Sequence, residues 1–151
     1  MNAGNLLKIY EEQLKNMDEL LKAAVDKQKS IIQNNRVSLE KETKKEETVL
    51  SKINRKEVER LEYLQRLFAG VGKGKVINIS EFSEEQLLTR MSEDELNEFT
   101  DLRGKIKELT SKVLGVNQQN KFLIEQANSI VKNVLETILK SQKKPLVDRR
   151  V

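Results

Sequence analysis

From Phe99 to Val134 the chain places apolar residues in alternating steps of three and four. Phe99, Leu102, Ile106, Leu109, Val113 and Val116 are followed by Leu123, Ala127, Ile130 and Val134, with Asn120 standing in the one step that breaks the run. This spacing keeps side chains on one face of an α-helix. A helix with one long apolar face cannot stay alone in water, so it must lie against another helix or another protein.

The first half of the chain supplies candidates. Leu7, Tyr10, Leu14, Met17, Leu21, Ala24, Gln28 and Ile31 form a second stripe, widened by Leu6 and Leu20, which predicts a helix over about Asn5 to Gln33. Asn34-Asn35 follows, and Asn both tolerates left-handed backbone geometry and caps helix starts. A third apolar series runs through Leu39, Leu50, Ile53, Leu61, Leu64, Leu67 and Phe68, and its early part, Glu40 to Thr48, is so polar that it is expected to protrude or fray. One unbroken helix from Asn5 to Phe68 would be roughly 95 Å long at 1.5 Å per residue, so a hairpin over 5–69 is the preferred reading.

Gly70, Gly72 and Gly74 mark a linker over 70–83, with Gly70 suited to a helix C-cap. Gly70 to Lys75 is not a phosphate loop. A Walker loop needs Gly where Ala69 stands and Ser or Thr where Val76 stands. Val76 to Ile79 is a short extended piece. Ser83 with Gln86, and Ser92 with Glu95, have the capping-box spacing, so a short helix over Glu84 to Thr89 should precede a long one of about 45 residues from Glu93 to Leu139, with Gly104 and Gly115 as its only weak points and a bend open at Gly115. Pro145 is expected to end helical structure, leaving 141–151 as a tail. The fold class is therefore all-α: a single domain made of a long antiparallel hairpin, a loop, a short helix and a third long helix.

Composition narrows the function. The 151 residues include no His, no Cys and no Trp, so the usual neutral-pH general base, thiol nucleophile and zinc ligands are missing. Carboxylate-only chemistry would need a concave pocket, of which one Pro, six Gly and few aromatics give little sign. The expectation is a protein that is not an enzyme and takes no metal or cofactor. Basic residues number 28 and acidic ones 24, interleaved throughout, with no basic run longer than pairs such as Lys44-Lys45 and Arg149-Arg150. Nucleic acid is therefore not an expected partner. No stretch of about 18 apolar residues is present to span a bilayer, and the first residues lack the plan of a signal peptide, which points to the cytosol.

Three features are candidates for binding. Asn117 and Asn120 lie one turn apart, and Asn120 falls on the apolar stripe; either a neighbouring helix or water satisfies it, or it is a polar element of a partner-binding face. Glu57 and Arg60 are an i, i+3 pair, read either as a solvated ion pair or as a bridge to a neighbouring helix. Phe122-Leu123-Ile124, Ile130-Val131, Val134-Leu135 and Ile138-Leu139 double the apolar positions, widening the stripe beyond a two-helix seam. A third packing helix, a homodimer, or a different protein could cover the excess. For a helical partner the anchors are Leu123, Ile130, Val134 and Ile138, with Phe122 as an aromatic anchor.

The order of these features resembles the FlgN-type flagellar export chaperones. The resemblance is carried by Gln28 to Asn35, Glu46-Glu47 to Leu50, Glu57 to Arg60, and Asn117-Gln118-Gln119-Asn120-Lys121-Phe122-Leu123-Ile124, and it spans nearly the whole chain; the Gly- and Lys-rich segment Gly70 to Lys75 matches no family feature. The resemblance implies a chaperone that binds hook-associated proteins before export, keeps their helical ends from associating, and delivers them to export gate components. The alternative is a homodimeric coiled-coil structural or adaptor protein using the same stripe on itself.

Overall fold

The computed structural model describes residues 3–69 and 89–148. They form three helices: α1 (Ala3–Ile32), α2 (Arg36–Ala69) and α3 (Glu93–Asp148). The expected Gly-rich linker, the Gly70 cap, the extended piece Val76 to Ile79 and the Ser83–Gln86 capping box lie outside the described residues, as does nearly all of the expected short helix, whose last residue Thr89 is in a turn. The all-α reading holds, and the choice between hairpin and single helix resolves to the hairpin.

The two asparagines make that hairpin. Asn34 takes φ 53°, a left-handed conformation that Asn tolerates better than most residues. With it in place, the Asn35 N–H reaches the Ser30 carbonyl (2.9 Å) and the Asn34 N–H reaches that of Ile31 (3.1 Å), the paired bonds of a Schellman cap that satisfy the last carbonyls of α1. Asn35 then caps α2, its Oδ1 accepting from the Ser38 N–H at 3.1 Å. At the start of α3, Ser92 and Glu95 complete the expected capping box: Ser92 Oγ accepts from the Glu95 N–H (3.3 Å) and Glu95 Oε1 from the Ser92 N–H (3.4 Å).

α1 lies in the middle and carries both main packing interfaces, antiparallel to α2 and parallel to α3. Near its start Leu6 and Leu7 pack with Leu64 of α2 and Phe99 and Leu102 of α3. Tyr10 meets the Phe99 ring edge-to-face, with centroids 5.0 Å apart. Farther along, Met17 and Leu20 pack with Val49 of α2 and Val113 of α3.

Two of the helices depart from expectation. The polar stretch Glu40 to Thr48 does not protrude: Glu42 is buried and Glu46 forms an ion pair with Lys27 of α1 at 3.3 Å. The inner face of α2 runs through Glu42, Glu46, Val49, Ile53, Lys56, Arg60 and Leu64, in steps of three and four. Apolar counting misses it because four of those seven are charged, with stems that pack and heads that find partners. Lys56 reaches Glu12 of α1. Leu50, expected on the stripe, is exposed instead. Second, α3 does not stop before Pro145 but continues to Asp148. Proline's fixed φ is itself helical, but Pro145 cannot donate to the Ser141 carbonyl one turn earlier, and the helix ends within a turn of it.

Candidate functional site

α3 divides into two parts of different surroundings. Up to Ile124 it is docked on the hairpin, with Phe99 1 % exposed and Leu102 and Val113 buried. From Glu125 to Lys140 every residue is exposed. The cause is length. Gln28 of α1 and Gln119 of α3 are level, joined by a 2.9 Å hydrogen bond, and α1 ends only four residues later at Ile32. α3 passes that level near Leu123 and projects about 25 residues farther, roughly 35 Å of helix with no other described helix beside it.

This arm keeps its apolar face. Ile130, Val131, Val134, Leu135, Ile138 and Leu139 are all exposed, Ile130 at 60 % and Val134 at 50 %. An apolar face of this length left exposed is the kind of patch that marks an interaction surface. At the base of the arm lie two clefts. One, of about 540 Å³, is lined by Gln28, Gly115, Gln119, Phe122 and Leu123. The other, of about 420 Å³, is lined by Lys27, Glu46, Asn117 and Ile124 among others. Phe122 is 58 % exposed and Leu123 half-buried.

The residues singled out in the sequence therefore fall into two groups. Ile130, Val134 and Ile138 line the arm, and Phe122 stands at its base with Leu123 and the exposed Asn117. Asn120 does not join them. It is 3 % exposed and donates Nδ2–H to the Ala24 carbonyl at 3.0 Å, so the neighbouring-helix reading describes its side chain. Its Oδ1 is buried without a partner, as are Glu42 Oε2 and Glu46 Oε1. Buried acceptors of this kind cost stability, while the Asn120–Ala24 bond ties α3 to α1 at this level.

Glu57 and Arg60 combine both readings open to them. The guanidinium holds the carboxylate at 2.6 and 3.0 Å and also bonds the Tyr10 hydroxyl of α1, so the pair ties α2 to the aromatic contact under α3. The bond to Arg60 holds the Glu57 carboxyl below its usual range, and Arg60 is pushed further up by Glu57. Sequence reasoning missed two exposed residues at the hairpin tip, Ile32 (68 %) and Val37 (79 %). Neither continues a stripe, so periodicity could not mark them.

No helix among the described residues is long and apolar enough to cross a membrane. Comparison with curated proteins and with solved structures finds no match. A family model described as FlgN protein matches residues 1–147. The match takes in the hairpin, the docked half of α3 and all but the last residue of its arm, and by it the chain belongs to the FlgN family of flagellar export chaperones.

Proposed function

We propose that this protein is a cytoplasmic type III export chaperone whose α3 arm holds hook-associated, hook–filament junction subunits until they are passed to the export gate. The observation that carries the reading is the arm: a helix anchored for half its length and then bare, with its apolar face intact. Helix-in-groove recognition needs anchors at i, i+3, i+4 and i+7, a spacing that Val131, Val134, Leu135 and Ile138 have; Ile130 lies beside them on the same face, and Phe122 and Leu123 close the seat at the base. The six apolar side chains of the arm are about half exposed, so covering each recovers roughly 1 kcal/mol, enough together to offset part of the cost of association. Asn120 serves this function indirectly, by fixing where the arm begins.

Simultaneous Ile130→Ser, Val134→Ser and Ile138→Ser tests the assignment. The variant should stay helical, because all three side chains are exposed and none packs on another described helix, and should lose co-purification with hook-associated subunits. Retention of the subunits by a helical variant places the client site elsewhere.

A further inference from the structure

The arm is wider than one helix can cover. Counted at about 100° per residue, Ile130, Val134, Ile138, Val131, Leu135 and Leu139 spread over about 180° of its circumference, whereas one packed helix covers a stripe of roughly 100°. The arc has a definite direction. By the same count the residues that α3 buries against the hairpin, Leu102, Val113, Asn120 and Phe99, lie within about 60° of one another, and the arm's arc is centred on them. The bare face of the arm is thus the continuation of the face that already holds the hairpin.

The tip of the hairpin completes the corner. Ile32 closes α1 and Val37 opens α2, and they are the two most exposed large apolar side chains among the described residues. The Schellman cap satisfies the Ser30 and Ile31 carbonyls beside Ile32, and Asn35 caps the Ser38 N–H beside Val37, so part of the tip's backbone is already bonded.

Resting on the reading of the arm as the client seat, we propose that the arm and the hairpin tip form one L-shaped seat for a pair of client helices. The pair stacks end-on upon the hairpin, carrying on the lines of α1 and α2 past Ile32 and Val37, with one helix on the Ile130–Val134 edge of the arm and the other on the Leu135–Leu139 edge. The occupant is therefore a two-helix amphipathic element and not a single extended peptide. Continuity with the α1–α3 interface and the width of the arc both favour it over a lone helix.

The test measures affinity for a full-length hook-associated subunit, with molar mass by light scattering, in three double variants of the full chain: Ile32→Glu with Val37→Glu, Ile130→Ser with Val134→Ser, and Leu135→Ser with Leu139→Ser. Circular dichroism checks that each keeps its helices. The expected result is at least a tenfold loss for each pair, and much weaker binding of isolated single-helix peptides from the subunit than of the subunit itself. Loss for only one arm edge, with the tip pair unaffected, means a single client helix and overturns the two-helix seat while leaving the arm as the client site. No loss for either arm edge refutes the arm reading itself. A free dimer that the Leu135/Leu139 pair dissociates, without loss of client, assigns that edge to a second copy and also overturns the proposal.

Discussion

The two halves of α3 obey one sequence rule and meet opposite fates. Around Phe99 to Asn120 the three-four stripe lies against α1, and around Ile130 to Leu139 the same stripe faces water. The three-four spacing itself does not mark the change; only the doubling of apolar positions along the arm accompanies it. What changes is the neighbour: α1 is 30 residues long and α3 is 56, so the hairpin runs out before the helix does. Amphipathic periodicity fixes which face needs covering, and the relative lengths of helices in one chain decide which part must find its cover elsewhere.

The strongest way to break this contrast is to make matched deletions in the two halves. Phe99→Ala removes a ring that is 1 % exposed and packed on Tyr10, and should lower unfolding free energy by about 3–5 kcal/mol. Val134→Ser, at a half-exposed position of the arm, should change it by no more than about 0.5 kcal/mol. Urea midpoints measure both, and similar losses in the two variants would show that the arm is packed in solution.

A finer test probes the boundary. Asn120→Leu keeps the number of side-chain heavy atoms and the branch at Cγ, removes the buried orphan Oδ1 and gives up one hydrogen bond to a helical carbonyl, so stability should rise by about 1 kcal/mol provided the bulkier methyl groups fit. If Asn120 holds the register, the gain comes with a less uniquely seated α3, visible as a second set of amide resonances around Gln28 and Gln119. A destabilised variant would mean the Ala24 contact is worth more than the orphan costs.

The smallest effect separates the halves by charge. Hydrogen bonds from Lys56 and Arg60 hold the Glu12 and Glu57 carboxyls below their usual range. Depressed carboxyls stabilise the fold fully above the ordinary carboxylate value, and that contribution is lost as pH falls through the lowered values. With no His in the chain, stability should be level from about pH 5 to 8 and decline in acid below about pH 4. Both groups belong to the hairpin, so the decline should appear in hairpin amides and leave arm helicity unchanged.

How much of this was legible in the sequence depends on which chemistry holds each part. The α1 stripe, the α3 stripe, the Asn34-Asn35 turn and the Ser92–Glu95 box were readable because each is local or periodic. The inner face of α2 was not, because Glu42, Glu46, Lys56 and Arg60 look like solvent residues until Lys27, Glu12 and Tyr10 supply partners across the seam. Apolar positions counted alone put Leu50 on the seam that Val49 occupies. The place of Asn120 turned on a backbone carbonyl 96 residues away, which spacing within one helix cannot reveal.

The parallel run of α1 and α3 also sets an order of assembly. Contacts between α1 and α2 join residues as few as 8 apart, while those between α1 and α3 span 91 and 96. Closing the shorter loop costs less chain entropy, by roughly 2 kcal/mol, and on a ribosome the hairpin is synthesised whole before any of α3 emerges. The hairpin is therefore a template waiting for its third helix, and the arm is the last part of the described fold to leave the exit tunnel. Pulse-labelled hydrogen exchange during refolding should find α1 and α2 amides protected before those of Phe99 to Asn120. A chain built in this order exposes the bare apolar face of its arm only after the hairpin that carries it is complete.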